Sequence, residues 1–114
     1  KVGGIEVGFR GVPQNATNPP YTAVSTDAGK HLYAAGGGGS TYTIPANASV
    51  PYPLGTSLPF INRSGVAISI ALTTDTLILT GSGATGTRSL ANNSMATAIK
   101  VTSTVWMIAG TGLT

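Results

Sequence analysis

The chain of 114 residues is long enough for one domain, burying about 60–70% of its unfolded surface on ordinary scaling, and leaves no room for a second core. Hydrophobic residues make up 41% but charged residues only 8%, against about 25% in ordinary soluble domains, so Ser, Thr, Asn and Gly must supply the polar surface. The net charge of +3 comes from six scattered bases and three acids, without the basic cluster and interleaved aromatics of a nucleic-acid binder. The absence of cysteine rules out disulfides and thiolate metal sites.

A surface of this kind is less costly to desolvate than a charged one, which suits a protein that works packed against others. No secretory leader is recognisable, and no apolar run approaches the roughly 18 residues needed to span a bilayer as a helix. Membrane and nucleic-acid partners are therefore not expected.

Residues 1–20 read as an N-terminal arm. Val7 and Phe9 alternate with Gly8 and Arg10, enough for a short strand at most, and the Gly11 to Pro20 stretch breaks regular structure. The domain proper is expected over 21–114. Tyr21 to Ser25 is a candidate strand, Thr26 to Gly29 a turn with Gly29 free to take positive φ, and Lys30 to Ala34 a second strand. Gly36 to Gly39 is a flexible loop.

Thr41 to Asn62 reads as strand, loop, strand. Tyr42 and Ile44 alternate with threonines before the loop, and Leu58 and Phe60 alternate after it, each pair marking one buried face. Four of the seven prolines fall here. Pro45, Pro51 and Pro53 remove backbone donors and hold φ near −65°, which excludes helix and stiffens the unfolded chain.

Beyond the turn at Asn62 to Gly65, Val66, Ile68, Ile70 and Leu72 point one way while Ala67, Ser69 and Ala71 point the other, the cleanest period-2 pattern in the chain. This strand is expected to be central. Thr73 to Asp75 turns the chain into a short apolar strand, Leu77 to Leu79. A glycine-rich loop, Gly81 to Gly86, follows, then a tight turn at Ala91 to Ser94. Two β-branched strands, Met95 to Val101 and Val105 to Ala109, close the sequence. A helix over Leu90 to Lys100 would carry Asn92, Asn93 and Ser94 in its interior and is disfavoured. The whole reads as an all-β single domain, a β-sandwich or jelly roll of about 8–10 short strands.

Chemistry is sparse. Gly81, Gly83 and Gly86 match the spacing of a dinucleotide-binding loop, but a helix after it and an acid further on are both missing. His31 is the lone histidine, and Glu6, Asp27 and Asp75 are too scattered for a metal site. Asp27 and His31 can be set beside a serine as a hydrolase triad, yet no serine is marked as a nucleophile; Asp27 reads as a turn-bonding residue and His31 as partly buried. Asn15, Asn47, Asn62 and Asn92 each begin a glycosylation triplet, a pattern expected by chance in a chain so rich in Asn, Ser and Thr. Trp106 reads as a core or interface anchor, and Leu113 as a residue that docks on the body or a neighbour. No catalytic residue, cofactor or metal is assigned.

Asp27-Ala-Gly-Lys-His31, Thr43-Ile-Pro-Ala-Asn47, Pro53-Leu-Gly-Thr56, Thr85-Gly-Thr-Arg-Ser-Leu90 and the closing Trp106 with Ala109-Gly-Thr-Gly-Leu-Thr114 together resemble a small β-domain of tailed-bacteriophage virion structural proteins. That domain occurs as a stand-alone virion protein and as a terminal domain of fibre-like proteins. Gly36 to Gly39 departs from the longer polar turn of that pattern. The resemblance implies a non-enzymatic capsid decoration, or cement, protein on the outer shell of the virion, with the major capsid protein and its own copies as partners. The alternative it implies is a receptor-facing domain of a tail fibre or spike binding a host glycan or protein, with Tyr33, Tyr42 and Tyr52 as candidate platforms. Val7, Phe9, Pro51, Tyr52, Pro53, Trp106 and Leu113 are the candidate assembly contacts.

Overall fold

The computed structural model describes residues 11–114. The chain forms β1 (Gln14–Asn15), β2 (Tyr21–Thr22), a 3-10 turn (Ser25–Asp27), β3 (His31–Ala34), β4 (Thr41–Ile44), β5 (Ser57–Asn62), β6 (Ile68–Leu72), β7 (Thr76–Leu79), β8 (Arg88–Thr102) and β9 (Val105–Leu113). The odd-numbered strands β1, β3 and β5 pair in parallel, and so do the even-numbered β2, β4 and β6. The chain therefore alternates between two stacked rails, laying down one strand on each as it winds. β8 pairs antiparallel with the last strand of both rails, β5 and β6. On its other side lies β9, which carries β7 in parallel at its outer edge.

The all-β expectation holds. These strands belong to one continuous, curled mixed sheet rather than to two separate layers, because β8 is long enough to join both rails. Parallel pairing requires a crossover between partners, and here each rail strand is the crossover for the other rail.

Alternation decides which faces meet inside. Tyr42, Ile44, Leu58 and Phe60 are fully buried, as their period-2 spacing predicts, and Leu32, Ile68, Ile70, Leu90, Trp106 and Ile108 complete the core. The rails pack through aromatics: the Tyr42 and Phe60 rings lie 5.7 Å apart between rails, and Tyr21 meets Tyr42 edge-on at 6.4 Å along one rail. Each fully buried side chain of this size stabilises the fold by about 1.5–3 kcal/mol. Val66 is the exception in its pattern. It stays 55% exposed because pairing of β6 begins only at Ile68.

Three expectations are corrected. Gln14 and Asn15, within the stretch expected to break regular structure, pair with His31 and Leu32, and Thr17 and Asn18 are bonded by Tyr42 and Ala35, so residues 14–18 lie against their own domain. The strand expected over Tyr21 to Ser25 stops at Thr22 and bends into the 3-10 turn. The turn expected at Ala91 to Ser94 is an irregularity inside β8, which runs through it.

That irregularity is where β8 passes from one rail to the other. It pairs with β6 up to Leu90 and with β5 from Ser94 onward. Between Leu90 and Met95, five positions along, β9 advances only from Leu113 to Thr111. Asn93 takes up the excess at φ 60°, a left-handed conformation that asparagine tolerates better than most residues. Asn62, fully buried, holds the fork: its Nδ2 donates to the carbonyls of Val66 at 2.9 Å and Leu90 at 3.0 Å, while its Oδ1 accepts from Ser64. The Gly65 amide donates to Asn92 Oδ1 at 2.9 Å. On β9, Gly110 lies so close to Ala96 and the Met95 carbonyl that a Cβ there would collide with backbone.

Candidate functional site

Three features stand out: two buried charged side chains and one outward-facing apolar surface. Asp27 is 1% exposed. Its Oδ1 accepts from Asn15 Nδ2 at 2.8 Å, and its Oδ2 from the Tyr21 hydroxyl at 2.6 Å and the Val24 amide at 2.8 Å. The carboxylate thus ties β1, β2 and the 3-10 turn together. Burial by itself raises its pKa, but the bonds from Tyr21, Val24 and Asn15 and the charge of Lys30 outweigh burial and hold it below the ordinary carboxylate value. Burial, and then donation to Asp27, raises the Tyr21 hydroxyl.

Lys100 is 2% exposed. Its backbone is fixed from both sides, the amide donating to the Thr56 carbonyl at 3.0 Å and the carbonyl accepting from Gly55 at 2.8 Å. The side chain runs inward beneath the proline-rich loop 45–56, where Nζ donates to Asn47 Oδ1 at 2.6 Å and to the Tyr52 carbonyl at 2.8 Å. Asp75 Oδ2 accepts from the Asn47 amide at 2.9 Å, setting the entry of that loop. The two charged sites are joined through Tyr52, whose hydroxyl donates to the Val24 carbonyl at 2.6 Å. Burial, followed by the charges of Asp27 and Tyr21, pushes the Tyr52 hydroxyl up to about 12; burial, then Tyr21, does the same for Tyr42.

The triad of Asp27, His31 and a serine does not assemble. Asp27 is taken by Asn15, Tyr21 and Val24, and His31 Nε2 faces Gln14 Nε2 at 3.2 Å. The Gly81 to Gly86 loop leads from β7 into β8 with no helix to receive a phosphate. Among the described residues no cluster of three or more potential metal ligands occurs, and no helix is long and apolar enough to cross a membrane. The glycosylation triplet at Asn62 begins on a buried side chain.

Of the candidate assembly contacts, Val7 and Phe9 lie outside the described residues. Pro51 and Pro53 are exposed on the loop and Leu113 is half-buried beside Leu90. Tyr52 and Trp106 are core residues, 5% and 1% exposed, meeting edge-to-face at 5.8 Å. Their burial removes them from this chain's contact surface, and it also removes Tyr42 and Tyr52 as glycan platforms; Tyr33 is half-buried.

The outer face of β5, β8 and β9, on the apolar C-terminal strands, is a surface that none of the candidate assembly contacts marks. Met95, Ile99, Val101 and Met107 are each at least 36% exposed. Register places Ile61 beside Met95, Ile99 beside Met107 and Met107 beside Ile78, so the residues form one patch across four strands. None of the six is charged. The signal was present in the alternation of Met95, Thr97, Ile99 and Val101, but alternation alone does not say which of two apolar faces is covered.

Comparison with protein-family models, with curated proteins and with solved structures finds no match to this chain.

Proposed function

We propose that the domain is a non-enzymatic structural protein of a tailed-bacteriophage virion, acting as a capsid decoration protein that binds the outer shell and stabilises it against the pressure of packaged DNA. The observation that carries this reading is the apolar face of β5, β7, β8 and β9, bordered at its Met95 end by Arg63. Contiguous apolar surface of this kind marks a contact with another protein, and the few scattered charges leave little to desolvate around it. Neither buried charge belongs to that face, since each is bonded to this chain's own turns and loops. The resemblance of the turn and strand motifs to virion β-domains supplies the partner: the major capsid protein, with neighbouring copies of the domain. The purified protein should co-sediment with expanded capsids, and replacing Ile99 and Met107 by Lys should abolish co-sedimentation while leaving the circular dichroism spectrum unchanged. Failure of the native protein to bind capsids, or unaltered capsid stability in its absence, would remove the basis for this reading.

A second reading, a terminal domain of a tail fibre that meets a host glycan or protein, is favoured by the stacked rails. Parallel rungs closed at one end by β8 and β9 suit the tip of an elongated assembly. Cell-binding assays separate the two, because a decoration protein ignores host cells and binds capsids.

A further inference from the structure

The Lys100 site contains the reacting groups of an amide exchange. Nζ sits 2.6 Å from Asn47 Oδ1, and adding a carbonyl bond of about 1.2 Å places the Asn47 carboxamide carbon no more than about 3.8 Å from Nζ, close to the roughly 3–3.5 Å of a near-attack arrangement. The amine is presented rigidly. Both backbone groups of Lys100 are paired with the end of loop 45–56, and its second acceptor, the Tyr52 carbonyl at 2.8 Å, leaves the side chain little freedom. The amide is held as firmly, since Asp75 Oδ2 accepts from the Asn47 backbone N–H and Pro45 stiffens the chain just before it. Among the described residues, the acceptors of Lys100 Nζ are an amide oxygen and a backbone carbonyl.

We propose that Lys100 and Asn47 form an intramolecular isopeptide bond, with Asp75 as a positioning residue. The lysine ammonium loses one proton to solvent at the half-buried Asn47 end of the site, and the free amine attacks the Asn47 carboxamide carbon. The carbon–nitrogen bond to the side-chain NH2 then breaks, and that group leaves as ammonia, carrying away a second proton from Nζ. The net reaction consumes a lysine ammonium and an asparagine amide and yields a secondary amide and an ammonium ion, so no oxidant, metal or cofactor is needed. The bond joins positions 53 residues apart and locks the loop leading into β5 onto β8, the strand that closes both rails. It does not depend on the virion reading.

The test is intact mass spectrometry of the folded native chain, followed by tryptic mapping. The expected results are a mass lower than the sequence mass by one ammonia, failure of trypsin to cleave after Lys100, and a branched peptide joining Lys100 to Asn47. A Lys100→Met variant should return to the sequence mass. Conversion should fall in Asp75→Ala and recover in Asp75→Asn, whose side-chain oxygen still accepts from Asn47 N–H. The unmodified sequence mass with cleavage after Lys100 would overturn the proposal. So would an ammonia loss that persists in Lys100→Met, which would report a succinimide at an asparagine instead. The native chain's peptide map is decisive whether or not the variants fold.

Discussion

Asp27 and Lys100 are opposite charges buried to nearly the same degree and linked through Tyr52 and Val24. Asp27 is an acceptor surrounded by three donors, among them a backbone amide and a tyrosine hydroxyl, and its environment favours the charged form. Lys100 is a donor facing two neutral oxygens, one of them on a carboxamide. The first arrangement stabilises a charge where it stands. The second holds an amine against an electrophile, so burial of comparable depth leads to structural anchoring in one place and to latent chemistry in the other.

The sharpest way to break this comparison is to delete the anion. Asp27→Ala removes the charged acceptor of the Tyr21 hydroxyl, the Asn15 amide and the Val24 N–H, at about 1.5–3 kcal/mol for a hydrogen bond to a charged group, and chemical denaturation should show a loss of several kcal/mol. Asn62→Ala, which opens the fork between the rails, should cost about 2–4 kcal/mol on the same grounds, checked by the same denaturation midpoint.

Acid should separate the two sites. The folded Asp27 pKa is depressed below its unfolded value of about 3.9, so its contribution is complete above that value and is lost as pH falls through the lower folded pKa. Wild-type melting temperature should therefore drop more steeply below about pH 4 than that of Asp27→Asn. At the alkaline end the sign reverses. Tyr42 and Tyr52 titrate near 12 when folded against about 10 unfolded, so their stabilisation is full below pH 10 and lost as pH rises through 12.

Smaller effects sharpen the role of the bridge. Tyr52→Phe removes the bond to the Val24 carbonyl and should cost about 0.5–1.5 kcal/mol in thermal melts. Replacing Pro51 and Pro53 by Ala should cost less, about 0.4–1 kcal/mol each through unfolded-chain entropy. If the exposed loop is also an assembly contact, the double variant should weaken capsid binding more than stability; an unchanged affinity would count against that contact.

Much of the fold was legible from local pattern. The alternation at Tyr42, Ile44, Leu58 and Phe60 identified their buried face, glycine at position 29 anticipated the positive φ it adopts, and proline content excluded helix from 45–53. Trp106 was legible only as an anchor, in core or interface, and the structure places it in the core. These are properties of one strand or one turn. The parallel rails were not legible, because strands that pair with their second neighbour leave no mark at the turn between them. Asn62 was visible only as a turn residue and a glycosylation triplet, since its importance comes from Leu90, 28 residues away.

The sequence by itself determined that this protein is all-β, poor in charge and stiffened around residues 45–59, because side-chain period, proline geometry and composition act over a few residues. Only the tertiary structure decided that β8 would join two rails, that Asp27 and Lys100 would both be buried, and that Met95, Ile99, Val101 and Met107 would face outward. Those outcomes depend on register between distant strands, where moving by one residue exchanges the covered and uncovered faces.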